Sequence, residues 1–203
     1  MNRRHTMLAA AVALSLAATL GACGDDSGSG DQAGGATAAP SASESAAMSM
    51  PADVNDQDSS FASDMIVHHR QAIEMAELAS SRASSSEVKE LAARIAAAQA
   101  PEIKTLSGWL TSWGMKPPGD SQGMDHRSMP GMMSQAEMSE MSGMTGAGFD
   151  EMFLTMMIEH HEGALSMAEA EQSTGKNAEV KAFADKVIAD QTAEIAKMQG
   201  MLE

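Results

Sequence analysis

The chain has 203 residues, of which 20 are Met, four are Phe, two are Trp and none is Tyr. Sheets draw on aromatic and β-branched residues whereas Ala and Met favour helices, so this composition predicts an all-α fold. The net charge of −15 and the lack of a basic stripe argue against nucleic acid as a partner, and a single Cys excludes an internal disulfide and Cys-based zinc or iron–sulfur sites.

The first segment, residues 1–22, has the pattern of a bacterial lipoprotein signal peptide. Arg3 and Arg4 precede an apolar run from Met7 to Leu20, which is too short to span a bilayer comfortably. The segment ends in LGAC, which resembles a lipobox, in which cleavage precedes the Cys and its thiol is acylated. We therefore expect Cys23 to anchor the protein outside the cytoplasm by lipid. An ordinary signal peptide with a chance Cys is the alternative.

The next segment, residues 23–53, consists mainly of Gly, Ser, Ala and Asp with few large apolar side chains. Such a composition does not bury enough apolar surface to offset the loss of chain entropy on folding. It predicts a flexible tether between the membrane anchor and the folded part of the chain.

The rest of the chain contains an internal repeat. Residues 61–103, shifted by 92 positions, align without a gap with residues 153–195, and 18 of the 43 positions are identical. Each copy has the pattern of two helices separated by a short break. We therefore predict two αα-hairpins, residues 54–113 and 149–203, that form a ferritin-like four-helix bundle with approximate two-fold symmetry.

Capping residues predict where these helices begin and end. Ser59 or Ser60 is the expected N-cap of the first helix, and residues 84–87 have the spacing of a capping box before the second. Gly114 suits the end of the second helix, and residues 175–177 supply the break in the second copy. Residues 114–148, between the copies, show no helical periodicity and are predicted to lack regular structure.

The inward-facing stripe of each predicted helix carries polar side chains. Burying such groups without partners costs several kcal/mol in total, so their repetition in register predicts partners. Two interpretations are open: a metal site, or a metal-free network of hydrogen bonds. The candidate metal ligands are His68, His69, His160, His161, Met65, Met157, Met75, Met167, Glu102, Glu194, Gln99 and Gln191.

The insert of residues 114–148 contains eight Met, more than a polar linker would use, and packing does not account for them at this stage. Thioether sulfur is a soft ligand that, together with imidazole, suits Cu(I). The segment looks like the Met- and His-rich stretches of periplasmic copper-resistance proteins. The candidate copper ligands of the insert are Met124, His126, Met129, Met132 and Met133. A low-complexity linker with incidental Met is the alternative.

The motif FxxxMIxHHxxAxxMA occurs at residues 61–76 and again at residues 153–168. It resembles the bacterial family known as domain of unknown function 305. The resemblance implies a ferritin-like four-helix bundle in an exported protein, with copper binding and copper tolerance in some members. It extends a metal-binding role to six residues: Met65, His68, His69, Met157, His160 and His161.

These features together predict an extracytoplasmic, lipid-anchored protein that binds copper and buffers it or passes it to a partner protein. A ferritin-like redox protein is less favoured, because such di-iron bundles use Glu-x-x-His and the residues three before each paired His are Met or Ile. A metal-free envelope interaction module is the remaining alternative. The sequence favours a non-enzymatic role, since no nucleophile motif or phosphate-binding loop is present.

Overall fold

A computed structural model of the protein describes residues 50–119 and 129–203. The expected signal peptide, the lipid attachment at Cys23 and nearly all of the tether lie outside the described residues, as do Met124 and His126 of the insert. Within the described part of the chain, none of the helices combines the length and apolar character needed to cross a membrane.

The described residues form four long helices and one short one. They are α1 (Asp56–Arg82), α2 (Ser86–Ser112), α3 (Gln135–Gly143), α4 (Ala147–Thr174) and α5 (Ala178–Leu202). α1 packs against α2 and α4 packs against α5, so that two αα-hairpins form and meet through α1 and α4. The predicted all-α four-helix bundle of two repeated hairpins is confirmed, with α3 as an addition between the repeats.

The predicted N-cap of α1 at Ser59 or Ser60 is wrong, because the helix begins earlier. Asn55 is the N-cap, and its Oδ1 accepts the backbone N–H of Asp58 at 3.0 Å. Asp58 Oδ2 in turn accepts the backbone N–H of Asn55 at 2.7 Å, so Asp takes the position that Glu or Gln usually holds in a capping box. Ser59 lies inside the first turn and donates its hydroxyl to the carbonyl of Asp56 at 3.0 Å.

The start of α2 also differs from the prediction by one residue. Ser85, not Ser84, is the N-cap. Ser84 is engaged elsewhere, because its backbone N–H and its hydroxyl both donate to Asp150. The predicted end of α2 is confirmed by Gly114, whose φ of 76° is the left-handed conformation that favours glycine. The predicted break at residues 175–177 separates α4 from α5.

The prediction that residues 114–148 lack regular structure is wrong for α3. Ser134 and Glu137 form a reciprocal capping box that begins this helix, a signal which the sequence contains and the search for apolar periodicity missed. Met141 is fully buried, Met133 is 7% exposed, and Met138 packs against the same hydrophobic cluster. Packing therefore accounts for these three Met of the insert, contrary to the expectation that it would account for none.

Two aspartates at equivalent positions of the repeat fasten the loop of the opposite hairpin. Asp58 Oδ1 accepts the backbone N–H groups of Lys176 and Asn177 at 2.9 and 2.8 Å. Asp150 accepts the backbone N–H groups of residues 84–85 at 3.1 and 2.9 Å. Burial alone would raise the pKa of Asp58, but these backbone donors outweigh it and lower the pKa. The carboxylate is therefore held ionised where the two hairpins meet.

We expect the variant Asp58→Ala to be destabilised by about 2–4 kcal/mol, because three backbone N–H groups lose their acceptor at a fully buried position. The matched variant Asp150→Ala should lose less, since the Asp150 side chain is only half-buried and water can replace it. Urea unfolding at neutral pH measures both. Equal losses below about 1 kcal/mol would contradict a role for Asp58 in joining the hairpins.

Candidate metal centre

A layer of polar side chains crosses the middle of the bundle and separates two hydrophobic clusters. One cluster contains the C-terminal half of α1 and the N-terminal half of α4, and the other contains the opposite halves of the same helices. Between them lie the four imidazoles, each with no solvent exposure: His68, His69, His160 and His161. Gln99 and Gln191 are 3% and 4% exposed in the same layer. The structure thus brings the predicted polar residues of all four long helices to one level.

Each hairpin holds one imidazole against a carboxylate. His69 Nε2 lies 2.8 Å from Glu102 Oε2, and His161 Nε2 lies 2.7 Å from Glu194 Oε2. A carboxylate only accepts, so the proton of each neutral ring is on Nε2 and the lone pair is on Nδ1. Neither Nδ1 atom has a hydrogen-bond partner. Glu102 and Glu194 each accept this hydrogen bond and thereby orient the imidazole, and their role as metal ligands stays a prediction.

The other two imidazoles meet across the interface between the hairpins. The ring centroids of His68 and His160 are 3.8 Å apart with a tilt of 40°. His68 Nε2 donates to the carbonyl oxygen of Pro130 at 3.2 Å, which leaves its Nδ1 without a partner. Neither ring nitrogen of His160 has a partner. Buried polar atoms are almost always paired in native proteins, so this group of orphan nitrogens requires an explanation.

Burial keeps His68, His69 and His160 neutral. It lowers the pKa of His68 to about 3, with a further contribution from the neighbouring His69. Burial also lowers the pKa of His69, although Glu102 opposes the shift, and it lowers that of His160 well below the ordinary value. Neutral imidazole is the form that binds a metal ion, so near neutral pH these rings are in the binding form.

The environment of the two carboxylates is not symmetric. Lys186 Nζ donates to Glu102 Oε1 at 2.8 Å and to Asp190 at 2.6 Å. Burial would raise the pKa of Glu102, but the hydrogen bonds from His69 and Lys186 outweigh it and lower the pKa. Arg94, which the repeat places at the position of Lys186, pairs with Glu90 instead. Lys186 therefore adds a positively charged hydrogen-bond donor to the carboxylate that orients His69.

The predicted Met and Gln ligands lie on or beside the inner face. Met65, Met75 and Met157 are fully buried, whereas Met167 is half-buried. All four pack into the hydrophobic clusters that border the layer. The Oε1 atoms of both Gln side chains, Gln99 and Gln191, are buried without a hydrogen-bond partner.

Among residues 50–119 and 129–203, no three His, Cys, Asp or Glu side chains are grouped so that they could hold a metal ion. In this conformation the layer is therefore a collection of donors and not an assembled coordination sphere. Thioether sulfur and amide oxygen lie outside that set. The donor chemistry fits a transition metal, but binding requires Met or Gln donors or a rearrangement of the imidazoles.

Sequence reasoning missed three residues that close the layer on one side. Gln71 Nε2 donates to the carbonyl of Met133 at 2.8 Å, and Gln71 Oε1 accepts the backbone N–H of Met133 at 2.7 Å. Pro130 reaches His68, and Gly163 lies directly beneath Pro130. One signal in the sequence could have pointed to these residues: Gln71 and Gly163 occupy equivalent positions of the two repeats, yet they are different amino acids.

Met129 and Met132, predicted copper ligands, lie half-buried in this segment, and Met133 packs in the core.

The fold and the layer define a class of protein: a four-helix bundle of two repeats with paired, buried imidazoles at its centre. The chain belongs to the family described as domain of unknown function (DUF305), whose family model matches residues 58–202. The resemblance inferred from the repeated motif is therefore confirmed. Among curated proteins, no sequence match to this chain was found.

Several solved structures are similar to this chain. A DUF305 protein of Streptomyces coelicolor, described as secreted, is 33% identical with a TM-score of 0.65 and covers 72% of this chain and 91% of its own. A DUF305 fragment from Deinococcus radiodurans is 31% identical with a TM-score of 0.66, over 73% of this chain and 97% of its own. CopM in its Cu(I)-bound form is 32% identical with a TM-score of 0.59, over 71% and 94%. CopM structures also include Cu(II)-bound and Ag-bound forms.

Proposed function

We propose that this protein binds copper through the polar layer of its bundle, outside the cytoplasm, and buffers the ion or passes it to a partner protein. One observation carries the proposal. Two buried imidazoles are fixed by carboxylates through Nε2–H, and their Nδ1 lone pairs are left without partners. This is the arrangement by which proteins orient His for a metal ion. A purely structural network would have used those lone pairs.

The choice of copper rests on the donor set. Neutral imidazole together with thioether suits copper in either oxidation state, and the soft thioethers favour Cu(I). The residues that would hold the ion are the four His of the layer, with Met65 and Met157 on its borders. The Cu(I)-bound and Cu(II)-bound forms of CopM, at 32% identity, support the same choice. When bound, the ion is the protein's cargo.

The Met-rich insert is proposed as a capture segment for Cu(I). The packing of Met133 in the core limits its role as a mobile ligand. The residues that remain are Met124 and His126, with the half-buried Met129 and Met132. Soft donors that are exposed or near the surface can take up an ion before it reaches the buried layer.

The proposed location is the outer side of a cell membrane, with lipid on Cys23 and residues 24–53 as the tether. The lipobox-like LGAC sequence supports this, as does the similarity to a Streptomyces protein described as secreted. A ferritin-like redox role gains no specific support, because the two layer carboxylates of the described residues hydrogen-bond to His.

The test is an anaerobic titration of the purified protein with Cu(I) in competition with a chromogenic chelator. We expect binding by the wild type and a loss of affinity of at least about tenfold in the variant His69→Ala/His161→Ala, because removing two proposed ligands should cost no less than removing the groups that orient them. The comparison variant Met124→Ser/His126→Ser keeps the layer intact and should retain most of the affinity. If the wild type fails to compete with the chelator at all, the proposal is wrong.

A further inference from the structure

We propose that residues 129–133, here called the strap, form a latched cover over the His layer, and that a metal ion reaches or leaves the layer only when the strap lifts. This inference rests on the proposed metal-binding function for its biological meaning. Its structural basis is the set of contacts that the strap makes with α1 and α4.

The latch is the side chain of Gln71. It is only 9% exposed and engages both the N–H and the carbonyl of Met133, at 2.7 and 2.8 Å. One side chain thus satisfies both backbone groups of a residue that belongs to no helix. Because buried backbone groups must be paired, Gln71 makes the docked position of the strap the favoured one.

The seat of the strap is the position on α4 where the backbone of Gly163 closely approaches the backbone of residues 130–131. A Cβ atom added to Gly163 would collide with the carbonyl of Pro130 and would lie 2.6 Å from the Cα of Gly131. Gly131 has a φ of 71°, and a Cβ there would lie 2.9 Å from the carbonyl oxygen of His160. Only glycine at both positions permits this contact, so the strap lies directly on α4 at the level of the imidazoles.

The strap is thin where it covers the layer. Pro130 is exposed to solvent, yet its carbonyl oxygen accepts a hydrogen bond from His68, which has no exposure. On this side the backbone at Pro130 lies between water and His68, whose ring contacts that of His160. Among the described residues, the hydrogen bonds that join the strap to the helices are the two to Gln71 and the one from His68, far fewer than hold any of the four long helices. Local opening of such a segment requires less free energy than unfolding of the bundle.

The strap accounts for the difference between Gln71 and Gly163. They are equivalent positions, each two residues after the second His of its pair. One strap crosses a layer of nearly two-fold symmetry. It needs a side chain that binds it on one hairpin, and on the other hairpin it needs a position without a side chain, where its backbone fits. Gln at one position and Gly at the other meet these two requirements.

The test compares two variants that act on the strap by different routes. Gln71→Leu removes the latch, and Gly163→Ala fills the seat. Gly108→Ala is the matched control, because Gly108 also lies inside a helix and a Cβ there meets nothing within 4 Å. Circular dichroism and thermal unfolding first establish that each variant folds. If Gly163→Ala does not fold, Gln71→Leu decides the outcome.

The first readout needs no metal. Diethyl pyrocarbonate modification of the metal-free protein, followed by peptide mass spectrometry, reports access to His68 and His160. We expect about tenfold faster modification in both strap variants and no change in the control. The second readout is the transfer rate of Cu(I) from the loaded protein to a chelator, for which we expect a similar acceleration.

The outcomes separate the two proposals. Unchanged modification rates in folded strap variants would overturn the strap as a cover, even if copper binds. Absence of Cu(I) binding by the wild type would overturn the proposed function, while the modification experiment would still decide whether the strap controls access. Faster modification with an unchanged Cu(I) transfer rate would overturn its control of metal exchange.

Discussion

Replacing His160 by Leu should make the metal-free protein more stable while weakening its binding of copper. His160 has no solvent exposure, and neither of its ring nitrogens has a hydrogen-bond partner. Burying unpaired polar atoms costs free energy that an apolar side chain of similar volume does not. We expect a gain of about 1–3 kcal/mol in the free energy of unfolding, measured by urea denaturation of the metal-free protein. Cu(I) affinity should fall by about 10–100-fold.

The matched substitution His161→Leu should have the opposite effect on stability. His161 is equally buried, but its Nε2 donates to Glu194, and its loss leaves that carboxylate without the imidazole. We expect a destabilisation of about 1–2 kcal/mol in the metal-free protein, together with weaker Cu(I) binding. If His160→Leu is also destabilising and copper affinity is unchanged, the layer is a structural network and the metal-site interpretation is wrong.

The metal-free protein should lose stability steeply as the pH falls below about 6.5, the ordinary pKa of His. In the folded state burial lowers the pKa of His68, His69 and His160, so these rings stay neutral. In the unfolded state the same rings take up protons as the pH passes their ordinary value. The stability they contribute is complete above that value and is lost as the pH falls toward the folded-state pKa, which for His68 is about 3.

One buried acid acts in the opposite direction. Burial, together with the neighbouring carboxylate of Asp58, raises the pKa of Glu171 to about 7. The folded state therefore binds this proton at a higher pH than the unfolded state, and stability from Glu171 increases as the pH falls toward 4.5. The three His outweigh the one Glu, so the free energy of unfolding should fall as the pH decreases from about 6.5 toward about 5. The lowered pKa of Glu102 keeps that carboxylate ionised in this range.

Urea unfolding at half-unit pH steps measures this dependence directly. The variant His160→Leu removes one of the three rings and should make the dependence of the free energy of unfolding on pH shallower. The variant Glu171→Gln should instead make the slope steeper, because it removes the opposing group. A free energy of unfolding that is constant from pH 7 to pH 5 would show that the buried rings do not remain neutral.

These two predictions describe one property of the layer. The metal-free bundle buries neutral imidazoles whose ring nitrogens lack hydrogen-bond partners, and this costs free energy. A bound ion that takes the Nδ1 lone pairs would remove part of that penalty, and any ligand selective for the folded state raises its stability. We therefore expect copper to shift the thermal unfolding midpoint of the wild type more than that of His160→Leu.

Much of the architecture was predictable because it depends on local and periodic signals. The repeat of 92 residues and its apolar stripes predicted two hairpins, and the order and packing of the four long helices confirm that interpretation. The same stripes placed His68 and His160 on inner faces, where both are fully buried. Helix capping was less predictable. Asp58 takes the place of the usual Glu in a capping box, and Ser84, the predicted cap, donates a hydrogen bond to Asp150 instead of capping α2.

The pairing of side chains across helices was not predictable from the repeat. Glu102 and Glu194 occupy inner positions as ligands would, but only three-dimensional contact shows that each accepts from an imidazole of its own hairpin. The repeat predicted approximate two-fold symmetry, but it did not identify which contacts differ between the two halves. Lys186 bonds to Glu102, while its counterpart Arg94 pairs along its own helix with Glu90.

The sequence by itself determined the four long helices, the approximate two-fold plan of the bundle and the level at which polar groups cross its core, because these follow from spacing along the chain. Only the tertiary structure decided that the insert returns to the bundle. The contact of residues 129–133 with Gln71 and Gly163 joins positions that no helical period relates. A two-fold layer has two equivalent faces, and a single crossing segment covers one of them. The covered face is the one where Gln71 binds the backbone of residue 133 and Gly163 leaves room for the strap. Both contacts depend on how the insert packs against the helices.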